Sequence, residues 1–167
     1  LFIVNGNAHF LEGMPPVLAA NRGDGMFADA SAAGGPLFRQ AFSARGSGAW
    51  DYDNDGRMDL AVTTLADRAR LWRTVGQNTN HWLTFRFEGT RSNRDGLGTQ
   101  VRVTAGGRTL CAEARCPTSY VFQQDPRLHF GLGTNAAAER VEVRWPAGTA
   151  QVLTNVAGDR VVNLIEP

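Results

Sequence analysis

The second half of the chain alternates apolar and polar residues with a period of two. The pattern occurs in residues 83–88, 100–104, 128–132 and 140–145. Strict alternation puts one face of a strand on a core and the other face in water. Ala105-Gly106-Gly107 joins two of these runs as a hairpin turn would, and the short connections favour antiparallel pairing. We therefore predict an all-β second half, in which only residues 135–139 suggest a helical turn.

The first half is organised around glycine-rich turns. One turn covers residues 21–27, and a second, acidic turn covers residues 51–59 and leads into the apolar run 60–63. Two units in which a turn precedes a strand predict the remains of propeller blades. Leu1 is not a start methionine and residues 1–6 already read as a strand, so we expect the C-terminal part of a longer protein. The polar run 76–80 predicts the boundary between domains 1–76 and 80–167.

Composition narrows the possible partners. The chain has 17 basic and 16 acidic residues and a formal charge of +1, which gives no electrostatic reason to expect nucleic acid or an anionic membrane. No apolar run approaches the roughly 20 residues of a membrane helix. The sequence contains no GxSxG, HExxH or phosphate-loop motif. We therefore expect a chain that does not bind nucleic acid, has no transmembrane segment and is not an enzyme; its partner would be an extracellular protein or glycan, and it could belong to a larger assembly.

The acidic turn is the most specific chemical feature. Its aspartates fill positions 1, 3, 5 and 9 and its glycine, Gly56, fills position 6. The four carboxylates belong to Asp51, Asp53, Asp55 and Asp59. Calcium prefers six to eight hard oxygen ligands, and alternating aspartates in a tight turn can point inward together. A solvated acidic turn without an ion is the alternative.

The remaining positions of the turn define the type of site. Arg57 fills position 7, whose main-chain carbonyl commonly binds calcium while the side chain stays outside. Position 12 is Val62 rather than the glutamate of an EF-hand, and a strand follows the turn instead of a helix. We predict a Ca²⁺ site outside the EF-hand class, with these ligands: Asp51, Asp53, Asp55, Arg57 and Asp59.

The two cysteines are Cys111 and Cys116. Four residues separate them, which is too wide for a CxxC redox or zinc motif. In an exported protein they would most simply form a disulfide with each other. Two free, buried thiols are the alternative.

Two groups of motifs resemble known families. Residues 48–60 resemble the FG-GAP/VCBS repeat of integrin-like β-propellers. The segments that resemble the ASPIC/UnbV domain are 80–83, 89–98, 130–133 and 143–148. The resemblance implies an exported protein with calcium on the four aspartates of the acidic turn. Two departures stand out: Arg22 replaces an aspartate in the first turn, so no ion is predicted there, and residues 115–120 replace a segment rich in glycine and serine.

The predicted fold class is all-β: the last blade or blades of an FG-GAP-type β-propeller, followed by a β-sandwich-like ASPIC/UnbV domain. The predicted function is that of a secreted, calcium-binding protein that acts as an extracellular interaction module for a protein or glycan. Its location would be extracellular, on the cell surface or periplasmic. The alternatives are a structural subunit of a larger surface or membrane-associated assembly, or a biosynthetic accessory or enzyme whose site lies in a part of the propeller outside this sequence.

Overall fold

The structure is a computed structural model that describes residues 1–6, 11–76, 79–116, 119–120 and 122–167. Its helices, Ser31–Ala33 and Pro36–Arg39, are short 3-10 turns. No helix in these ranges is long and apolar enough to cross a bilayer. The all-β prediction is confirmed. The strands are β1 (Phe2–Ile3), β2 (Val17–Asn21), β3 (Phe27–Asp29), β4 (Ala44–Trp50), β5 (Asp59–Thr64), β6 (Arg70–Trp72), β7 (His81–Glu88), β8 (Gln100–Ala105), β9 (Arg108–Glu113), β10 (Leu128–Gly133), β11 (Ala137–Arg144), β12 (Ala150–Ala157) and β13 (Arg160–Ile165).

The chain divides into two compact units. Unit 1 contains Leu1–Ala49, Asp59–Arg73 and Pro117–Gln123. Unit 2 contains Trp50–Met58, Thr74–Cys116 and Gln124–Pro167. The polar run predicted as a domain boundary includes residues 77 and 78, which lie outside the described residues.

Unit 1 holds two three-stranded sheets, in the orders β1-β2-β3 and β4-β5-β6. Val62 is fully buried in its core, and Phe42 stacks on Trp72 with ring centroids 5.7 Å apart. The other buried members of this core are Leu37, Phe38 and Ala44. A propeller blade typically has four strands, whereas each of these sheets has three strands among the described residues. The assignment of unit 1 to propeller blades therefore stays a prediction.

Unit 2 holds a four-stranded sheet, β12-β11-β8-β9, and a three-stranded sheet, β10-β7-β13. Both sheets contribute to one core, which explains the period-two pattern. Its fully buried side chains include Leu83, Phe85, Val101, Val141 and Trp145. The hairpin predicted at residues 105–107 joins β8 to β9. Gly106 and Gly107 have φ of 56° and 74° there, the left-handed values that a type I′ turn requires.

Two details of unit 2 differ from the sequence prediction. Strand β13 pairs with β7 in parallel, with Arg160 opposite Leu83, whereas the sequence predicted antiparallel pairing. Parallel neighbours need a long connection. Here most of unit 2 lies between the two strands along the chain. The helical turn predicted at residues 135–139 is wrong, because β11 begins at Ala137. Ala138 is fully buried and pairs with Val156, so packing outweighs the helix propensity of alanine.

The predicted disulfide is absent from the structure, and both cysteines are free thiols. Cys111 is exposed on strand β9, where it pairs with Arg102 of β8. Cys116 lies beyond the end of that strand, and its thiol faces the main-chain oxygen of Gln124 at 3.7 Å. Proximity in sequence thus does not bring the two sulfurs together, because Cys111 is held in the sheet and Cys116 is not.

Glu166, which follows β13, connects the end of that strand to the turn after β7 through hydrogen bonds. Its side chain is only 2% exposed. Its carboxylate accepts hydrogen bonds from the main-chain N–H groups of Thr90, Arg91 and Ser92 at 3.0, 2.8 and 2.7 Å, and from the Ser92 hydroxyl at 2.8 Å. Burial opposes ionisation, but these hydrogen bonds outweigh it and lower the pKa of Glu166 to about 2.

This contact makes the stability of the protein depend on pH. The folded pKa of Glu166 lies below its ordinary value of 4.5, so the stabilisation is fully present above about pH 4.5 and is lost as the pH falls toward 2. We expect Glu166→Gln to be less stable than the wild type in urea unfolding at pH 7, with a gap that shrinks below pH 4.5. The exposed Glu12→Gln is the control. A gap of constant size from pH 7 to pH 2.5 would contradict the assignment.

Candidate metal centre

The acidic turn, residues 51–58, connects β4 to Asp59, the first residue of β5. Asp51 shapes it: one carboxylate oxygen accepts the N–H of Asp55 at 3.0 Å and the other accepts the N–H of Gly56 at 2.8 Å. Asn54 and Gly56 have φ of 58° and 86°, a region open to glycine and tolerated by asparagine. The sequence therefore forms a tight turn closed around the Asp51 side chain.

Three of the predicted ligands come together where this turn meets β5. Asp51, Asp53 and Asp59 each offer a carboxylate oxygen, and these oxygens all lie within 4.8 Å of one another. Asp51 is 4% exposed and Asp59 is fully buried. Carboxylates grouped in this way repel one another at reduced solvent screening, so the arrangement favours a cation.

The spacing of these oxygens suits calcium. Ca²⁺ binds oxygen at about 2.3–2.6 Å, so two ligands on opposite sides of one ion lie up to about 4.6–5.2 Å apart. The oxygens of Asp51, Asp53 and Asp59 all lie within 4.8 Å of one another, which is close enough for one ion to contact all three. The three aspartates therefore fit a hard divalent cation in both donor type and spacing.

Asp55 and Arg57 have a different environment from the other predicted ligands. The Asp55 carboxylate accepts the main-chain N–H of Arg57 at 2.9 Å and forms an ion pair with its guanidinium group. It is not one of the three grouped carboxylates. The Arg57 Nε also donates to the carbonyl of Thr74 at 3.2 Å, so its guanidinium group is held between Asp55 and Thr74. A role for the Arg57 carbonyl or for Asp55 as a ligand stays a prediction.

Side chains from β7 and β10 pack beside the acidic turn within unit 2. The indole of Trp82 stacks on His129 with ring centroids 5.7 Å apart and planes inclined by 16°. Burial lowers the pKa of His129, while the nearby Asp51 carboxylate opposes this change and the positive charge of Arg127 adds to it. His129 Nδ1 lies 2.9 Å from the hydroxyl of Thr84. The turn thus lies against an aromatic pair and not only against solvent.

Arg127 is the contact residue that the sequence analysis missed. Its guanidinium reaches Asn54 and the carbonyl of Asp51 in the acidic turn. These partners lie 73 and 76 residues away along the chain. No local pattern in a single sequence connects positions so far apart.

Comparison with known proteins identifies the second part of the chain. Residues 89–167 match the family described as ASPIC and UnbV. The chain is also 28% identical over 130 residues to cartilage acidic protein 1 of Homo sapiens, and equally to that of Mus musculus. Each alignment covers 70% of this chain and 18% of the relative, so the chain spans about a fifth of the length of these curated relatives. The match confirms the ASPIC/UnbV part of the predicted resemblance over residues 89–167, whereas the FG-GAP/VCBS part stays a prediction.

Proposed function

We propose that this chain belongs to a secreted, calcium-binding β-propeller protein that acts as an extracellular interaction module for a protein or glycan. The observation that carries the proposal is the group of three carboxylates of Asp51, Asp53 and Asp59, whose oxygens lie within 4.8 Å of one another. A bound calcium ion would offset their mutual repulsion. The ion would therefore hold the acidic turn, and the surface around it, in one shape.

Three further features support the extracellular propeller part of the proposal. The acidic turn connects two neighbouring strands, β4 and β5, as a turn within a blade would. The glycine turn at residues 22–26 connects β2 and β3 in the same manner. The relatives are named for cartilage, a tissue rich in extracellular matrix. That the chain is not an enzyme stays a prediction.

An open depression of about 430 Å³ beside the acidic turn is a candidate surface for the partner. Its wall combines one indole, from Trp82, with the amides of Asn54 and Asn80 and the charged groups of Arg57 and Asp159. Aromatic rings with planar hydrogen-bonding groups suit the apolar faces and hydroxyls of sugars. This lining favours a glycan over an apolar peptide as the partner.

Thermal unfolding in EDTA and in millimolar calcium tests the metal site. We expect calcium to raise the melting temperature, since a ligand at 100 times its Kd stabilises the folded state by about 2.7 kcal/mol. Asp53→Ala should remove this response because it deletes one of the three grouped carboxylates. Binding of glycans or extracellular proteins should likewise be lost in EDTA.

Asp24→Ala is the matched control for this experiment. Asp24 also lies in a turn between two strands, and its carboxylate accepts the N–H of Met26 at 2.9 Å. This variant should keep the full calcium response. A wild-type protein whose melting temperature is the same in calcium and EDTA would show that the acidic turn binds no ion.

A further inference from the structure

Arg127 connects the ASPIC/UnbV domain to the acidic turn, which lies outside the residues matched by that family. Its Nη1 donates to the side-chain oxygen of Asn54 at 2.7 Å, and its Nη2 donates to the main-chain oxygen of Asp51 at 3.1 Å. We propose that Arg127 is a positioning residue that holds the turn in its ion-binding shape, which presupposes the calcium site proposed above. Calcium affinity would then depend on a residue of the ASPIC/UnbV domain.

The guanidinium group of Arg127 is also held by a residue outside the turn, Asp125. The Asp125 carboxylate accepts the main-chain N–H of Arg127 at 2.9 Å and its Nε at 2.7 Å. The Arg127 and Asp125 side chains are 22% and 16% exposed. A planar guanidinium held on one edge by a carboxylate presents its remaining donors in a fixed direction. Arg127 therefore offers the turn a preformed set of donors.

The two contacts of Arg127 fall on either side of Asp53, one of the grouped carboxylates. Asn54 has a left-handed backbone with φ of 58°, a conformation that asparagine tolerates better than most residues. The bond from Arg127 to its amide oxygen further restrains this residue. The bond to the Asp51 carbonyl fixes the start of the turn. Arg127 thus restrains the backbone on both sides of Asp53, at Asp51 and at Asn54.

The contacts made by the positive charge of Arg127 indicate that this residue positions the turn. They do not indicate that it takes the place of the calcium ion. Its donors to the turn meet neutral acceptors, an amide oxygen and a carbonyl oxygen. Its positive charge is paired with Asp125, 2.6 Å from Nη2. An arginine that replaced the cation would instead bind the grouped carboxylates directly. Removing Arg127 should therefore weaken calcium binding and not strengthen it.

The experiment compares the full chain carrying Arg127→Ala, Arg127→Lys or Arg86→Ala. Arg127→Lys keeps the charge but lacks the planar fork, and Arg86→Ala removes an exposed arginine of β7 as the control. Calcium titration calorimetry should show binding about 10- to 100-fold weaker in both Arg127 variants, the usual loss when a group that orients a ligand is removed. Arg86→Ala should bind as the wild type does.

Hydrogen exchange in EDTA gives a readout that needs no metal. Amides of residues 53–57 should exchange faster in both Arg127 variants, while amides of the core strand β11 stay protected. Wild-type calcium affinity in Arg127→Ala, or tighter binding there, would overturn the positioning role and leave the calcium site standing. A wild-type protein that binds no calcium would overturn both proposals, whatever the exchange data show.

Discussion

Trp145→Ala is expected to lower the free energy of unfolding by about 3–5 kcal/mol, the range for removing a large aromatic side chain from a core. Trp145 is 1% exposed and follows β11 directly. Its ring meets Phe87 edge to face, with centroids 5.9 Å apart. Its Nε1 lies 3.4 Å from the side-chain oxygen of Gln151. The substitution would leave a cavity in the unit 2 core and remove the donor to Gln151.

Urea unfolding monitored by circular dichroism measures this loss. Ile165→Ala is the control, since Ile165 belongs to β13 but is 57% exposed; it should cost less than about 1 kcal/mol. Trp145→Phe should fall between the two, because it retains an aromatic ring but not the indole N–H. A loss below about 1 kcal/mol for Trp145→Ala would mean that the side chain does not support the core as the structure indicates.

Trp145 also illustrates what could be predicted from the sequence. The alternation over residues 140–145 places Val141, Val143 and Trp145 on one face, and all three are at most 2% exposed. Period two identifies such a face because successive side chains in a strand point to opposite sides. The same pattern does not tell which strands are neighbours. The parallel pair of β7 and β13 depends on contacts across more than 70 residues, and no local signal encodes them.

Strand β12 was missed for a different reason. In β12 the residues that alternate inward are only half-buried, and Asn155 interrupts the strand with φ of 52°. An edge strand has one neighbour and packs less apolar surface, so its pattern is weaker. Burial, and with it the hydrophobic pattern, decreases toward the edge of the sheet.

Part of the acidic turn could be predicted from the sequence, and the physical reason was correct. Aspartates at alternating positions with a glycine at position 6 indicate a tight turn with inward carboxylates, and Asp51, Asp53 and Asp59 do meet. The pairing of Asp55 with Arg57 could have been considered, because the two residues are separated by one position. The contact with Arg127 could not have been predicted, because Arg127 is more than 70 residues away along the chain.

Gly56→Ala is expected to destabilise the protein by about 2–5 kcal/mol, from two causes. Gly56 has φ of 86°, which costs a residue with a Cβ roughly 1–2 kcal/mol. A Cβ at this position would also lie 2.1 Å from Nε1 of Trp82, and overpacking of this kind costs about 1–3 kcal/mol more. The indole cannot readily move away, because it stacks on His129.

Gly23→Ala separates the two causes. Gly23 has a similar φ of 88° in the other glycine turn, and a Cβ there meets nothing within 4 Å. It should show the backbone cost alone, so the difference between the two variants in urea unfolding measures the contact of the acidic turn with Trp82. Equal losses in both variants would mean that the turn does not pack on the indole. Position 6 therefore requires glycine for the bend, as the sequence predicts, and for a close approach that only the fold creates.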